Sequence, residues 1–558
     1  MNSTQMKYFL LLLLTAILTF GCNSDQTKTA SNIKNSKPKL VVGIVVDQMR
    51  YDYLTRFEDR FGEGGFNKII KNGYNFKNTH LNYSASKTAV GHASIYTGTT
   101  PINHGIMGNN WYDKYQQKSV SSVDGEKYQP VGTTSEKGQR SPNKIMTTTI
   151  GDQLHLHQNM NGKVISLSFK DRGSILPGGH SANAAYWFVK ENIGKWVTST
   201  YYMDELPTWV SDFNDAGIAA NYLDSTWETY YDIETYTASG KDNDEFEQVY
   251  KGMEKSVFPY NLSELKEQNN YFDLLLNSPQ GNSLTTDFAM KAIESEQLGK
   301  SEYIDFLAIS YSPTDGIGHQ FGPNAVEIED TYIRMDLELE RLLNFLDTEV
   351  GEGNYTLFLT ADHGVSHIPY NLEKLRFPAG YRPRTELLKY VENIAQEHFG
   401  NPKLIERIEN NNIFINEKQL KKSNLKREDV AKVIATELIK NKKIHKTATH
   451  KTLATKEFTE GMLALMQRGF NQKISGDVLY LHTPSMLGSW NQDNGGSNHG
   501  SGYNYDNHVP LLFYGSGIKT GSSNHYYAIS DIASTICTLM EIEFPNGNTG
   551  EVIEEVLE

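Results

Sequence analysis

The chain contains very little cysteine and no basic tract. Two cysteines, Cys22 and Cys537, occur among 558 residues, so a disulfide framework is excluded. Lysine and arginine number 53 against 67 aspartate and glutamate residues, and the formal net charge is −14. Because binding to a phosphate backbone requires a basic surface, we expect no nucleic-acid partner. Stability must come from a hydrophobic core, with metal as a further contribution.

The apolar run at the N-terminus is short for a membrane span. Lys7 precedes YFLLLLLTAILTFG, which ends directly before Cys22. A basic residue, an apolar core and a small residue before cysteine indicate a lipoprotein-type signal peptide at residues 1–21, with Cys22 carrying lipid after cleavage; an uncleaved signal anchor is the alternative. Residues 22–38 are polar and predict a flexible tether. We therefore expect an exported protein, periplasmic or at the cell surface, that is lipid-anchored through Cys22.

Buried-strand patterns alternate with helical ones along the rest of the chain. Aliphatic runs typical of a parallel sheet occur in KLVVGIVVDQMR (39–50), KVISLSFKDR (163–172), IDFLAISYSPTD (304–315) and YTLFLTADHG (355–364). Residues 325–347 and 530–540 show helical periodicity. The alternation predicts an α/β fold with a doubly wound, mostly parallel sheet flanked by helices. Each of the four runs finishes in charged residues, and ligands of such sheets gather at the carboxyl ends of the strands.

Two stretches interrupt this alternation. Residues from about 181 to 282 are rich in Tyr, Trp, Asp and turn residues, and residues from about 369 to 488 are Lys-rich with an amphipathic helix around REDVAKVIATELIK. We predict one catalytic domain at residues 39–558, in which both stretches are inserted α+β cap or auxiliary segments. The lysine runs are typical of solvated faces.

Six potential metal ligands are spread over the chain. They are three carboxylates and three imidazoles, namely Asp47, Asp315, His319, Asp362, His363 and His499. Asp315 and His319 are one helical turn apart, so both side chains can face one point. Oxygen and nitrogen ligands of this kind suit Zn²⁺ in open, catalytic sites. A single Asp-His pair is more often a capping or core pair, but the set favours a site because most of its members follow buried strands.

Two further segments suit an anionic phosphate. In YSASKTAVGHASIYTG (83–98), Thr88 begins a helical pattern, where a hydroxyl lies near free N–H groups. A metal-bound threonine would be deprotonated near neutral pH and act as a nucleophile; an N-capping cluster is the plainer local interpretation. Lys170 and Arg172 are predicted on one face of a strand end, where they offer a point charge and a planar fork to phosphate oxygens; a surface pair is the alternative.

Together these segments resemble the alkaline phosphatase superfamily, and within it the PafA-type, phosphate-irrepressible alkaline phosphatases. The resemblance extends from about Lys39 to the C-terminus. It depends on seven motifs in this order: LVVGIVVDQMRYDYL, KTAVGHASIYTG, HGIMGNNWYD, SLSFKDRGSILP, TDGIGHQFGPN, LTADHG and NHGSGYN. It implies a monomeric alkaline phosphatase that hydrolyses small phosphate monoesters with two Zn²⁺ ions as cofactors.

The resemblance also implies a role for each site residue. Thr88 would be the nucleophile of a double displacement through a covalent phosphothreonine. One zinc ion would be bridged to Thr88 and held by Asp47, Asp362 and His363. The other would be held by Asp315, His319 and His499. The phosphoryl oxygens would be contacted by Asn109, Lys170 and Arg172, the trio that distinguishes these monoesterases from related diesterases.

Some features depart from the family pattern or leave alternatives open. Lys87 directly precedes the nucleophile, and contact with phosphate and exposure to solvent both remain open for it. Asn498 stands before His499 where the pattern has threonine. The rival functions are a phosphodiesterase or nucleotide pyrophosphatase on the same fold, and an inactive surface lipoprotein that binds glycan or peptide. A sulfatase is disfavoured because SASKTAVG lacks the C/S-x-P-x-R frame. Four other histidines are expected to be structural or to support the site indirectly, namely His104, His180, His367 and His508.

Overall fold

The computed structural model describes residues 37–489 and 495–558. The predicted signal peptide, the predicted lipid attachment at Cys22 and all but the last two residues of the predicted tether lie outside the described residues. Within the described ranges, no helix is both long enough and apolar enough to cross a membrane.

An eleven-stranded mixed sheet forms the centre of the fold. Ten strands follow one another across it in the order Gly521–Ser523, Tyr74–His80, His508–Gly515, Tyr355–Thr360, Leu40–Val46, Asp305–Tyr311, Val164–Ser168, Ala184–Val189, Lys195–Ser199 and Pro130–Val131. The eleventh, Tyr527–Ala528, pairs with Tyr74–His80. The four strands from Tyr355–Thr360 to Val164–Ser168 are parallel to one another. The predicted α/β fold with a mostly parallel sheet is confirmed.

The central strand, Leu40–Val46, is buried over all seven residues because it has parallel neighbours on both sides. Its register keeps the strand ends level, since Val46 lies opposite Tyr311 and Val45 opposite Thr360. Residues that follow these strands therefore emerge at the same edge of the sheet.

Helices pack against the sheet in two groups. The first contains Thr88–Thr97, Asp171–Gly178 and Asp531–Met540, and the second contains Gln280–Ser295, Pro313–Phe321 and Val326–Leu346. The sheet lies between the two groups, because on the strand Asp305–Tyr311 the side chain of Ser310 contacts His92 of the first group, whereas that of the adjacent Tyr311 contacts Thr286 of the second. In Val326–Leu346 the predicted apolar stripe is buried, including Met335, Leu339, Leu342 and Leu346.

The two predicted insertions differ in construction. The first begins inside the central sheet, because Ala184–Val189 and Lys195–Ser199 are two of its strands; it continues with Thr208–Asp215, Ile218–Leu223 and the strand pair Thr226–Trp227 and Tyr260–Asn261. The second builds its own four-stranded sheet and core, with strands Ile405–Glu409, Asn412–Ile415, Val478–His482 and Ile444–Thr449 and helices Arg384–Phe399, Arg427–Leu438 and Gly461–Arg468. The division into domains stays a prediction.

Candidate metal and phosphate site

The site lies where the four parallel strands end. Each strand is followed within a few residues by a charged side chain, and across the sheet these are Asp362, Asp47, Asp315 and Lys170. Lys170 Nζ donates to Asp47 Oδ2 at 2.6 Å and to Asp315 Oδ2 at 2.5 Å. The charged ends of these core strands therefore converge on a common pocket, as expected for a parallel sheet.

Three of the predicted ligands, Asp47, Asp362 and His363, form a first triad at the strand ends, and Asp315 also brings a ligand atom within 4.8 Å of those of Asp47 and His363. His363 Nε2 lies 3.5 Å from both Asp47 Oδ1 and Asp362 Oδ2, and all three side chains are fully buried. These three atoms have no hydrogen-bond partner among the described residues. Ligand atoms of a tetrahedral zinc ion, with bonds of about 2.0 to 2.2 Å, lie about 3.3 to 3.6 Å apart. The orphaned atoms therefore fit a metal ion.

The other three ligands form a second triad. His319 Nε2 and His499 Nε2 lie 3.2 Å and 3.6 Å from Asp315 Oδ1. Asp315 and His319 are one turn apart in the helix Pro313–Phe321, as predicted, whereas His499 enters from a loop. The ring of His499 stacks on that of His363 at a centroid distance of 3.5 Å, so the two triads are adjacent.

Backbone carbonyls fix the orientation of all three histidine rings. Each Nδ1 lies within hydrogen-bond distance of a carbonyl oxygen, at 2.9 Å from Ser497 for His319, 3.0 Å from Gly364 for His363 and 2.7 Å from Ser86 for His499. Because a carbonyl oxygen only accepts, Nδ1 carries the proton and the lone pair of Nε2 is left for a metal. Burial lowers the pKa of His363 to about 4, which keeps this ring neutral at physiological pH.

The carboxylates bring strong negative charge into the pocket. Burial and the charge of Asp362 raise the pKa of Asp47 well above its usual value. For Asp362, burial is outweighed by His363 and His92, and the pKa is lowered to about 2. For Asp315, burial is outweighed by His319 and Lys170, and the pKa falls well below its usual value. Repulsion among buried carboxylates is relieved by cations.

Thr88 is the first residue of the helix Thr88–Thr97 and is 1% exposed. Its Oγ1 lies 3.4 Å from Lys170 Nζ. One turn later, Gly91 packs directly on the backbone of Asp362, where a Cβ atom would lie 2.2 Å from the carbonyl oxygen. Glycine at this position therefore allows the helix to approach closely the strand end that carries the candidate ligand Asp362.

The other two phosphate-binding candidates are Asn109, which contacts the start of the Thr88 helix, and Arg172, which lies on a separate helix. Asn109 Oδ1 accepts a hydrogen bond from the backbone N–H of Ala89 at 2.9 Å, which leaves its amide Nδ2 available as a donor. Arg172 lies in the first turn of the helix Asp171–Gly178, and its buried Nε has no hydrogen-bond partner in the described part of the chain.

The prediction that Lys170 and Arg172 share a strand face is wrong. The strand ends at Ser168, Lys170 is the N-cap of the following helix, and Arg172 is the second helical residue. The two-residue alternation of a strand therefore does not extend to this pair.

Lys87 acquires a defined contact. Its Nζ donates to the backbone carbonyl of His499 at 2.8 Å. The lysine before the predicted nucleophile thus connects the Thr88 helix to the loop that carries the candidate metal ligand His499.

Sequence reasoning missed Gln48, which joins the two triads. Its backbone N–H donates to Asp362 Oδ1 at 3.2 Å and its Nε2 donates to Asp315 Oδ1 at 2.6 Å. Its φ of +68° is a left-handed conformation that non-glycine residues rarely adopt. Such strain is retained where surrounding structure requires it. The available signal was its place directly after Asp47.

His92 is a second missed residue. Its Nδ1 lies 2.8 Å from the carbonyl oxygen of Thr88 and 3.3 Å from Asp362 Oδ2. Since the carbonyl only accepts, this nitrogen donates to the helix start, and its longer approach to Asp362 Oδ2 is an electrostatic contact with a candidate metal ligand.

The four histidines expected outside the ligand set make other hydrogen bonds. His104 Nε2 lies 3.0 Å from Ser94 Oγ, which is not one of the candidate metal ligands. The partners of the other three are the carbonyl of Thr147 for His180, Arg50 and Asn324 for His367, and the carbonyl of Lys77 for His508.

Comparison with known proteins identifies the family. The model of the type I phosphodiesterase / nucleotide pyrophosphatase family matches residues 41–500. Alkaline phosphatase PafA from Elizabethkingia meningoseptica is 40% identical over 93% of this chain and 95% of that protein. This chain belongs to the alkaline phosphatase superfamily, among the PafA-type proteins. The crystal structure of wild-type PafA matches with a TM-score of 0.89 and covers 94% of this chain and 99% of that one.

Other relatives are similarly extensive. Alkaline phosphatase PhoV from Synechococcus elongatus is 39% identical over 99% of this chain and 100% of that protein. A Myroides odoratus protein named calcium-transporting ATPase is 39% identical over 97% of this chain and 99% of that protein. Another PafA structure is of a variant with a threonine replaced by serine and an asparagine, a lysine and an arginine replaced by alanine. The predictions of the superfamily and of an alkaline-phosphatase-type enzyme are confirmed.

Proposed function

We propose that this protein is a zinc-dependent alkaline phosphatase that releases orthophosphate from a broad range of small phosphate monoesters. The observation that carries the proposal is the convergence of two carboxylate–histidine triads beside the Thr88 helix. Relatives named alkaline phosphatase, at 39–40% identity, support the reaction class.

Two metal ions suit the donor set. One would be held by Asp47, Asp362 and His363, and the other by Asp315, His319 and His499. When bound, the ions supply positive charge that activates the hydroxyl nucleophile and neutralises charge on the phosphoryl and leaving oxygens. Mixed carboxylate and imidazole ligands with neutral, oriented rings favour zinc.

Three side chains of the protein attack phosphorus, contact the phosphoryl group and orient the nucleophile. Thr88 Oγ1 gives up its proton and forms a bond to phosphorus as the ester P–O bond breaks, and the leaving oxygen gains a proton and departs as the alcohol. Water then hydrolyses the phosphothreonine, which restores the hydroxyl and releases orthophosphate. Lys170 Nζ, 3.4 Å from Thr88 Oγ1, is close enough to contact a phosphoryl oxygen on the attacked group. His92 holds the start of the helix against Asp362, so Thr88 stays oriented through both steps.

Asn109, Lys170 and Arg172 favour monoesters over diesters. A monoester carries more negative charge on its non-bridging oxygens than a diester, and one amide and two cations complement that charge. The PafA variant is substituted at a Thr, an Asn, a Lys and an Arg, the same residue types in the same chain order as Thr88, Asn109, Lys170 and Arg172.

The matching family is named for phosphodiesterases, so a phosphodiesterase is the rival function. A comparison of a monoester with the corresponding diester distinguishes the two activities. Zinc-loaded enzyme should hydrolyse 4-nitrophenyl phosphate with a higher kcat/KM than bis(4-nitrophenyl) phosphate. Arg172→Ala should reduce the monoester value far more than the diester value. Preference for the diester by the unmodified enzyme would instead establish the phosphodiesterase.

The nucleophile is tested by trapping the intermediate. Acid quenching with a ³²P-labelled monoester should yield labelled protein whose label maps to Thr88. Thr88→Ser, which keeps a hydroxyl, should still be labelled, whereas Thr88→Ala should not. Unchanged turnover by Thr88→Ala would show that another group attacks phosphorus.

We also propose export as a monomer with lipid on Cys22, which lies outside the described residues. Cys22→Ala should move the protein from the membrane fraction to the soluble fraction. Size-exclusion chromatography of the exported protein should give the mass of one chain without residues 1–21, which is below the 63.0 kDa of the full sequence. Retention of the variant at the membrane would contradict lipid anchoring.

A further inference from the structure

A buried arginine lies in a cavity beside the site described above. Arg382 belongs to the strand Gly380–Pro383 of the second inserted stretch and is 2% exposed. Its Nε, Nη1 and Nη2 have no hydrogen-bond partner among residues 37–489 and 495–558. All five N–H donors of this guanidinium are therefore unused by the described protein.

This arrangement is unfavourable without a ligand. Burial lowers the pKa of Arg382, but arginine titrates so far above neutral pH that the side chain stays charged. Burying an unpaired charge is costly, so native proteins normally pair it. The nearby Glu386 lies instead 3.4 Å from Lys443, and the pKa of His482 is lowered to about 4 by burial and by Arg382, so this ring is neutral.

The cavity adjoins the catalytic pocket. Its volume is about 170 Å³, and it is lined both by Arg382 and His482 and by Lys87 and His499. One water needs only about 10 to 15 Å³ on this measure, so a small hydrated anion can enter. Lys87 precedes Thr88 in the chain and His499 is a candidate metal ligand, which places the cavity directly against the proposed reaction site.

The strand that carries Arg382 is fixed to the same loop. Arg382 pairs in parallel with Gly488, and the neighbouring Tyr381 hydroxyl donates to the carbonyl of Gly496 at 2.5 Å. The next residue, Ser497, accepts the hydrogen bond from His319 Nδ1. Arg382 is thus held in place relative to the second metal triad.

We propose that Arg382 forms an oxyanion site that binds a phosphate or carboxylate group beside the catalytic pocket. The anion is either a second charged group on the leaving alcohol of a substrate or free orthophosphate, the product. The first source rests on the proposed function and identifies phosphate monoesters of anionic alcohols as preferred substrates. The second source makes the cavity a product-binding site.

Two measurements on zinc-loaded protein distinguish these sources. The first compares kcat/KM for butyl phosphate and for 4-(phosphonooxy)butanoate in the unmodified protein, Arg382→Met and Arg382→Lys. The second counts orthophosphate bound per chain by equilibrium dialysis. Arg376→Met removes an exposed arginine of the same stretch and is the matched control.

A substrate anion predicts that Arg382→Met loses about ten- to hundredfold in kcat/KM for the carboxylate ester, the range of a charge-assisted hydrogen bond. Butyl phosphate should be hydrolysed at the unmodified rate, and Arg382→Lys should be intermediate. A free phosphate predicts instead one bound orthophosphate fewer in Arg382→Met with no change in substrate preference.

The proposal is overturned if Arg382→Met, folded as judged by circular dichroism, changes neither the substrate preference nor the number of bound phosphates. Because an unpaired buried charge is removed, Arg382→Met should also unfold at a higher temperature than the unmodified protein. Absence of butyl phosphate hydrolysis by the unmodified protein would contradict the proposed function instead, and the dialysis measurement still decides the oxyanion site.

Discussion

Replacing Gly91 by alanine should disable catalysis although the change is small and lies in a helix. In an exposed helix this substitution stabilises by about 0.5 to 1 kcal/mol. Here the new Cβ would lie 2.2 Å from the carbonyl oxygen, 2.5 Å from Cβ and 2.6 Å from Cα of Asp362. To reach even 3.0 Å from the oxygen, the helix and the strand end must separate by about 0.8 Å. Overpacking of this kind costs about 1 to 3 kcal/mol.

The displacement would move Thr88 relative to Asp362, because both residues belong to the elements that separate. A misplacement of about 1 Å lowers rate by about 10²-fold, so kcat of Gly91→Ala should fall by about that factor. The assay is hydrolysis of 4-nitrophenyl phosphate at saturating zinc, with circular dichroism to verify folding. Gly62→Ala is the control, since its Cβ would lie at an ordinary 3.5 Å from Asp336. Full activity in Gly91→Ala would refute close packing of the helix on Asp362.

Three further changes test the supports of the site. Gln48→Ala removes the donor to Asp315 and should weaken zinc binding by about 10- to 100-fold, measured with a competing chelator. Gln48→Gly should bind zinc as weakly as Gln48→Ala but unfold at a higher temperature than that variant, because glycine accepts the positive φ. Equal zinc affinity in the unmodified protein and both variants would exclude a role for the side chain. Dialysis against a chelator should abolish turnover and lower Tm, with zinc restoring both; activity retained in metal-free protein would contradict a metal centre. Burial lowers the pKa of His104 to about 3, so below pH 6.5 the folded state binds fewer protons than the unfolded state. Stability is therefore lost as pH falls, by up to about 1.4 kcal/mol per pH unit. The Tm of His104→Gln should fall less between pH 6 and pH 4 than that of the unmodified protein, and an identical fall would show that this ring does not titrate on unfolding.

Much of the fold could be predicted because its signals are local. The strand Leu40–Val46 is an aliphatic run buried on both sides, and the helix Val326–Leu346 repeats its apolar residues at helical spacing. Parallel strands place their carboxyl ends together, so Asp47 and Asp362 could be expected to meet without knowledge of the strand order.

The errors arise where local pattern gives way to tertiary contact. Lys170 and Arg172 fall beyond the last paired residue of a strand, and only the position of the helix start determines their directions. The role of Lys87 depends on a carbonyl more than 400 residues away in the chain, that of His499. Neither the position of this helix start nor the Lys87–His499 hydrogen bond can be recognised from the neighbouring residues in the sequence.

Gln48 and Arg382 show what such contacts contribute to function. A glutamine in a left-handed conformation and an arginine without a described partner are both unfavourable when each is considered alone. In the folded chain, the first donates to carboxylates of both candidate metal triads, and the second faces a cavity shared with His499. The backbone strain of Gln48 and the buried charge of Arg382 are tolerated because the surrounding elements determine the positions of both residues. Residues that are unfavourable in isolation therefore indicate where this pocket binds charged groups.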